Sequence, residues 1–385
     1  MFKKRSWFIA ASILVMLMLG SVYSWSIIRV SVESEFNVSA TESGLPYMFS
    51  LVSYSTSMLI AGKLIKKHQR AIVIIGAVSF MIGLILSSLA VNIFTLTLSY
   101  GVLVGTGVGL IYGVPLFVIN QTFPDRIGFF SGLVLLGFGF SSVIMAPLIE
   151  FLLLNGPLSS MFMVLFFISL GVFFLTVPFL IQPVLALEGR SRPATPISKG
   201  SFRLLYGLFL FSLISGLMII GLTYRIGVLS YDYDGVFVAG LLTIFAVANA
   251  LARPLFGWII DKKNIFFAGT LSLVLIALSG LIAFFNQGQL PVLFALNYGF
   301  FWFGLGSWVA IAPLAVKKLF GAHNYAHLYG TLFTAYGVAA VLGTLFSGAV
   351  LDLFGSTLPI YGFIVIINIV NLVLLKQLEK TTSTQ

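Results

Sequence analysis

The stretch "AVANALARPLFGWIIDKK", residues 246–263, places one arginine inside an apolar run that ends in a charged turn. Including the residues before it, the apolar run is about 20 residues long, the length that an α-helix needs to cross a bilayer. Arg253 stands eight residues before Asp261, so it lies roughly 12 Å from the end of such a helix. The stretch therefore predicts a membrane-spanning helix with a buried cation.

The rest of the chain has the same apolar character. Of its 385 residues, 59% are hydrophobic and 8% are charged, against about 25% charged residues in an average soluble domain. This composition predicts an all-α membrane protein with twelve transmembrane helices, the first of them retained and not cleaved as a signal peptide. The predicted spans are 7–30, 44–63, 71–91, 94–120, 127–154, 157–182, 202–229, 235–260, 264–286, 290–316, 326–352 and 356–376.

The basic residues predict the orientation of these spans, because Lys and Arg accumulate on the cytoplasmic side. With both termini cytoplasmic, 18 of the 21 Lys and Arg fall on inner segments, and only Arg29 and Arg225 fall at outer ends. The net charge of +10 therefore reports topology and does not predict a nucleic-acid partner. We expect a multi-pass protein of a bacterial inner membrane, acting as a monomer.

A single long polar segment divides the chain. The segment "PVLALEGRSRPATPISKGS", residues 183–201, is basic and rich in proline, and six predicted spans lie on each side of it. It predicts an N-terminal six-helix half (1–182), a cytoplasmic linker and a C-terminal six-helix half (202–385).

The two halves repeat each other. At an offset of 195, the basic loop "GKLIKKHQR" (62–70) matches "GWIIDKKNI" (257–265), and at an offset of 198, Tyr100 and Pro115 match Tyr298 and Pro313. Two six-helix repeats related by an axis along the membrane normal are typical of one major transporter architecture, in which the substrate site lies near the midplane at the repeat interface. The repeat predicts transport by alternating access.

Several motifs resemble those of the major facilitator superfamily, and within it the oxalate/formate antiporter family, on its monocarboxylate-transporter-like branch. "GWIIDKK" resembles the superfamily signature G-x-x-x-D-R/K, although Lys66 replaces the aspartate in the first half. The family resemblance rests on "GSVYSWS" (20–26), "GVGLIYGVP" (107–115), "FPDRIGFFSGL" (123–133), "NALARPLFGWIID" (249–261) and "YGTLFTAYGVAA" (329–340). It implies a secondary carrier of organic anions.

Arg253 is the main candidate for substrate binding. Its planar fork of donors matches a carboxylate and stays charged in the working pH range, and a cation in a span usually faces a bundle interior or an aqueous cavity. Asn249 lies four residues earlier on the same helical face, where we expect its amide to donate beside the guanidinium. In the family this pair lines the carboxylate site. The alternative is a structural arginine bonded to backbone carbonyls.

Tyr336 bears on the charge of the substrate. The resembling oxalate carriers have a second cation in a T-A-K-G pattern, whereas this chain has "TAYG" (334–337). A neutral phenol cannot neutralise a second buried carboxylate. The sequence therefore favours a monocarboxylate such as lactate, pyruvate, formate or acetate over oxalate.

Aromatic residues complete the predicted site. Tyr112 matches the family's pocket tyrosine, and the other candidates are Tyr23, Trp25, Trp302 and Trp308. Because 15% of the chain is aromatic, each of them has the alternative of lipid contact or ordinary helix packing.

The sequence does not identify the ion that drives transport, and it leaves one alternative function open. No Asp or Glu lies at mid-depth of a span, so exchange for a counter-anion and symport with protons both stay open. A drug or cation exporter of the same fold is the alternative, but it would need a buried acid for its guest. We find no catalytic nucleophile, cofactor motif or metal cluster, and predict no enzyme, cofactor or metal; the partners expected are a small carboxylate and the lipid bilayer.

Overall fold

The computed structural model describes residues 2–38, 40–123, 126–181, 198–321 and 325–383, and every regular element in these ranges is helical. The α-helices are α1 (Phe2–Leu19), α2 (Trp25–Phe36), α3 (Ala40–Ser43), α4 (Leu45–Ser88), α5 (Ile93–Leu96), α6 (Gly105–Thr122), α7 (Ile127–Asn155), α8 (Leu158–Leu180), α9 (Lys199–Arg225), α10 (Gly235–Lys262), α11 (Ile265–Asn286), α12 (Pro291–Phe320), α13 (Tyr325–Phe354) and α14 (Leu358–Ser383). A 3₁₀ segment (Gly20–Ser24) joins α1 to α2, and π-helical segments (Thr97–Val104 and Ile226–Ser230) join α5 to α6 and extend α9.

Eleven helical stretches in the described ranges are long and apolar enough to cross a membrane. One of them, α4, has 44 residues and contains nearly all of the second and the third predicted spans. Its backbone leaves the helical conformation at His68 (φ −128°, ψ 30°), where the two spans meet. The predicted all-α architecture is confirmed.

The prediction of a loop at 62–70 is wrong. These residues are helical on both sides of His68. Leu, Lys and Gln all favour helix, and the long side chains of Lys63, Lys66 and Lys67 are exposed, so charge alone does not end the helix. The matching segment of the second half does break after Lys262, because Asn264 Oδ1 accepts from the backbone nitrogen of Phe267 (2.8 Å) and starts α11.

The chain forms two compact units. Unit 1 contains Met1–Asp125, Leu133–Gly189 and Asn324–Gly337, and unit 2 contains Arg126–Gly132, Arg190–His323 and Val338–Gln385. The start of α7 thus belongs to unit 2 and the start of α13 to unit 1. The division into halves at 183–201 stays a prediction, and residues 183–197 of that linker, like Pro124 and Asp125 of "FPDRIGFFSGL", lie outside the described residues.

The offsets of the sequence repeat recur in the packing of each unit. In unit 1, a Cβ atom placed on Gly62 of α4 would lie 2.3 Å from the carbonyl oxygen of Ala326 in α13. In unit 2, a Cβ atom on Gly257 of α10 would lie 2.2 Å from the carbonyl oxygen of Gly128 in α7. Gly62 and Gly257 are related by the offset of 195, and Gly128 and Ala326 by the offset of 198. Each helix pair thus needs a residue without a side chain at the equivalent point.

A second pair of contacts follows the same rule. A Cβ atom on Gly330 of α13 would lie 3.0 Å from the carbonyl oxygen of Met58, and one on Gly132 of α7 would lie 2.6 Å from that of Arg253. The offset of 195 relates Met58 to Arg253. Met58 therefore occupies in unit 1 the position that Arg253 has in unit 2.

Candidate functional site

Arg253 lies on α10 in unit 2, and none of its surface is exposed. Its Nη2 atom donates to Oδ1 of Asn249, 3.0 Å away. This contact is the one that the spacing of four residues predicts. Insertion scales assign about 2.5–3.5 kcal/mol to an arginine at the centre of a membrane helix, so this position carries a considerable cost.

Asn249 fixes the orientation of the guanidinium through a chain of hydrogen bonds. Its side chain is 2% exposed, and its Nδ2 atom donates to the carbonyl oxygen of Trp302 on α12 (2.8 Å). The indole Nε1 of Trp302 in turn donates to Oγ1 of Thr223 on α9 (3.1 Å). Side chains on α9, α10 and α12 are therefore connected in a series that ends at Arg253.

The amide of Asn249 accepts from Arg253, whereas the sequence predicts that it donates beside it. An arginine has donors only, so a neighbouring amide must turn its oxygen toward the guanidinium. The donation to Trp302 holds the amide in that orientation. Asn249 acts in the structure as a support for Arg253.

The backbone on both sides of this pair is closely packed. A Cβ atom on Gly306 of α12 would lie 2.1 Å from the carbonyl oxygen of Asn249. Gly132 of α7 lies against the carbonyl group of Arg253 in the same manner. Interiors packed this closely do not absorb an added methyl group without a shift of the helices, so the position of the pair depends on these two glycines.

The signature aspartate lies at the other end of α10. Asp261 Oδ2 accepts from the backbone nitrogen of Phe129, 3.1 Å away, in the first turn of α7. A carboxylate is favoured there because the N-terminus of a helix carries a partial positive charge. Asp261 thus fastens α10 to the start of α7 within unit 2.

Unit 1 contains an aromatic cluster in which three predicted tyrosines meet. We call it the phenol cluster; its members are Tyr23, Tyr54, Tyr112, Tyr336, Phe138 and Phe333. Tyr112 is fully buried, and its ring centroid lies 5.2 Å from those of both Tyr54 and Phe138.

Tyr336 and Tyr23 are joined directly within the phenol cluster. Their hydroxyl groups form a hydrogen bond. The ring of Tyr336 stacks on Phe333 (5.0 Å, 7°), and the ring of Tyr23 meets Phe138 edge-on (5.1 Å). The two hydroxyl groups are therefore held in place by closely packed rings.

Tyr54 lies at the centre of the phenol cluster and was missed by the sequence reasoning. Its ring contacts Tyr112, Phe138, Phe333 and Tyr336 at 5.0–6.0 Å. The signal that could have found it is the polar run "SYSTS" (53–57) inside an otherwise apolar span.

The two remaining tryptophans are buried in other contacts. Trp25 is 2% exposed, donates from Nε1 to the carbonyl oxygen of Ser43 (3.0 Å) and lies 4.6 Å from the ring of Tyr100. Trp308 is 1% exposed, and its indole nitrogen has no hydrogen-bond partner within the part of the chain that the structure describes. Six residues separate Trp308 from Trp302, which turns their side chains to different sides of α12.

A family model and a solved structure, both of membrane transporters, match this chain. The family model described as "Major Facilitator Superfamily" matches residues 9–317. The human organic anion transporter MFSD10 (TETRAN) has a similar fold, with a TM-score of 0.78 over 97% of this chain and 99% of that chain at 13% sequence identity.

Curated relatives are similar at low identity over most of the chain. An oxalate:formate antiporter of Oxalobacter formigenes is 24% identical over 370 residues, which cover 91% of this chain and 86% of the antiporter. Monocarboxylate transporter 13 of Rattus norvegicus is 26% identical over 300 residues, which cover 76% of this chain and 69% of that protein. An uncharacterised MFS-type transporter of Escherichia coli is 24% identical over 350 residues, which cover 88% and 87%.

Proposed function

The chain belongs to the major facilitator superfamily of membrane transporters, and on that premise we propose that it is a secondary active carrier of a small organic monoanion, most simply a monocarboxylate, working by alternating access. The observation that carries the proposal is the buried guanidinium of Arg253, oriented by Asn249 inside a membrane helix. Ionisable residues retained at such depth mark substrate and ion pathways.

Arginine suits a carboxylate better than other cations do. Its guanidinium offers parallel N–H donors that match both oxygens of a carboxylate, and it keeps its charge throughout the working pH range. Asn249 accepts one of those donors and thereby fixes the plane of the fork. Arg253 would bind the carboxylate, and Asn249 and Trp302 would hold it in place.

The phenol cluster favours a solute that carries a single negative charge. Tyr336 stands where the resembling oxalate carriers have a cation, and its hydroxyl is hydrogen-bonded to that of Tyr23. A phenol stabilises a second buried carboxylate far less than an ammonium group does. We therefore favour lactate, pyruvate, formate or acetate, with Tyr112, Tyr336 and Tyr23 as supporting residues. Both the antiporter and the monocarboxylate transporter among the relatives fit an organic anion.

The proposed setting is a bacterial inner membrane with both termini in the cytoplasm. The clustering of Lys and Arg on every second connection supports this orientation. The chain has no cysteine, so single cysteines introduced at the exposed positions Asp232 and Lys263 report it directly. An impermeant thiol reagent added to intact cells should label Asp232→Cys alone. Labelling of Lys263→Cys instead would show that the chain has the opposite orientation.

The test of the carrier is counterflow in liposomes with radiolabelled lactate, formate or pyruvate. Arg253→Gln keeps much of the side-chain volume and removes the charge, so uptake should fall by about tenfold to a hundredfold, the range expected for a lost charged hydrogen bond. The matched control is Arg225→Gln, at an exposed outer position, which should transport normally. Undiminished uptake by Arg253→Gln in a correctly inserted protein contradicts the proposal.

A further inference from the structure

The series of hydrogen bonds that ends at Arg253 begins on α9, at Thr223. Thr223 is fully buried, and its hydroxyl group donates to the carbonyl oxygen of Ile219 one turn earlier (2.8 Å). Because a hydroxyl has a single hydrogen atom to donate, its oxygen is left to accept. It accepts from Nε1 of Trp302 (3.1 Å), and an indole has a donor only. The direction of this bond therefore follows from both partners.

Trp302 carries the link from α9 to α10. Its indole donates to Thr223, and its carbonyl oxygen accepts from Nδ2 of Asn249 (2.8 Å). Asn249 in turn accepts from Nη2 of Arg253 (3.0 Å). Trp302 is 5% exposed and its ring lies 6.3 Å from that of Phe245, so the indole has little room to turn. All five residues belong to unit 2, so the series lies within one compact unit.

The helix α9 is irregular around Thr223. Gly221 lies two residues earlier, and among the described residues nothing packs within 4 Å of a Cβ atom placed on it. Three residues after Thr223, Ile226–Ser230 form a π-helical segment, and the backbone nitrogen of Ile226 donates to the carbonyl oxygens of both Leu222 and Thr223. Glycine weakens a helix, and π-helical turns are frequent at functional sites. The position of the Thr223 hydroxyl therefore depends on a deformable part of α9.

We propose that Thr223 is a positioning residue for Arg253, through which the shape of α9 sets the strength of anion binding. This inference rests on the proposed carrier function and adds regulation of the same site to it. While Thr223 accepts from Trp302, the series holds the guanidinium ready for a carboxylate. A bend of α9 that withdraws the hydroxyl leaves a buried indole N–H unpaired, which is costly, and releases Trp302 from its position. A carrier that alternates must loosen its hold on the solute, and α9 supplies a point at which to do so.

The test measures counterflow of labelled lactate by the reconstituted full chain over a range of lactate concentrations. Thr223→Val removes the acceptor with little change in shape. The KM should rise by roughly threefold to tenfold, the effect of one hydrogen bond lost between buried groups, while the maximal rate stays within about twofold of the wild type. Thr223→Ser restores the hydroxyl and should restore the KM. A merely structural role would lower the amount of active protein, and hence the maximal rate, at an unchanged KM; that result overturns the inference.

The matched control is Thr176→Val on α8 of unit 1. Thr176 is 2% exposed, and its hydroxyl donates to the carbonyl oxygen of Val172 one turn earlier (2.7 Å), as that of Thr223 does to Ile219. Within the described part of the chain it accepts from no side chain. Thr176→Val should therefore leave the KM as in the wild type. An equal rise of the KM in Thr176→Val would assign the effect to any buried threonine and contradict the role of Thr223.

A second measurement approaches the bond from its other end, and it serves also if Thr223→Val fails to insert. The lactate affinity of the purified full chain is measured by calorimetry for Trp302→Phe, Thr223→Ala and the double variant. Because both changes remove the same bond, the double variant should bind lactate about as weakly as the weaker single variant. Losses that multiply, or no loss in either single variant, overturn this inference while the carrier proposal stands. Failure of lactate, pyruvate, formate and acetate alike to bind to the wild type overturns both.

Discussion

Arg253 Nη2 lies 3.0 Å from Asn249 Oδ1, with the two side chains one turn apart on the same face of α10. Because Asn249 is itself fixed to the carbonyl group of Trp302, the guanidinium is oriented before any solute arrives. A preorganised donor pays less entropy on binding than one that must be ordered. Under the proposed function, this contact orients the guanidinium that would bind the carboxylate.

Asn249→Asp should weaken this binding. The new carboxylate would pair with Arg253 and neutralise the charge that would otherwise bind the solute. We therefore expect at least a roughly tenfold loss of affinity for lactate. Calorimetry on the purified protein measures it. Asn264→Asp makes the same chemical change at the cap of α11, where Asp serves equally well, and should bind as the wild type does. Unchanged affinity in Asn249→Asp would mean that Arg253 does not meet the solute.

Gly306→Ala should destabilise the protein and displace the Arg253 support. Its Cβ atom would lie 2.1 Å from the carbonyl oxygen of Asn249, and overpacking of this kind costs about 1–3 kcal/mol. Gly348→Ala is the matched change on α13, because nothing lies within 4 Å of the added atom. There the better helix propensity of alanine should stabilise by roughly 0.5–1 kcal/mol. Denaturant unfolding measures the free energy of unfolding of both variants. A change of the same sign in the two variants, relative to the wild type, would contradict the packing argument.

Tyr336→Lys should shift the preference toward dicarboxylates. A second buried cation offsets the charge that a phenol leaves unpaired, so the ratio of oxalate to lactate uptake should rise by about tenfold or more. Counterflow with both labelled anions measures the ratio. Tyr336→Phe removes the hydrogen bond to Tyr23 without adding charge and should not raise oxalate uptake. An unchanged ratio of oxalate to lactate uptake in Tyr336→Lys would contradict the argument that Tyr336 limits the charge of the solute.

Local periodicity predicted much of this molecule. The contact between Asn249 and Arg253 followed from a spacing of four on one helix, and the spans followed from the length of apolar runs. The packing of Tyr54 against Phe333 could not be found in this way, because it joins residues far apart in sequence. Neither could the helix at 62–67, since charge and helix propensity gave opposing signals there. The role of Asn249 as an acceptor required the partner that Trp302 provides from another helix.

Met58 and Arg253 occupy equivalent backbone positions in the two units, but only Arg253 is charged. At each of the two equivalent positions a glycine of a neighbouring helix lies against the backbone carbonyl group, but only one of the two residues is a cation. A monoanion of the proposed kind would find a fixed positive charge at only one of these two positions. Under the proposed function, the difference between Met58 and Arg253 would therefore distinguish the charged end of a small asymmetric solute from its uncharged end.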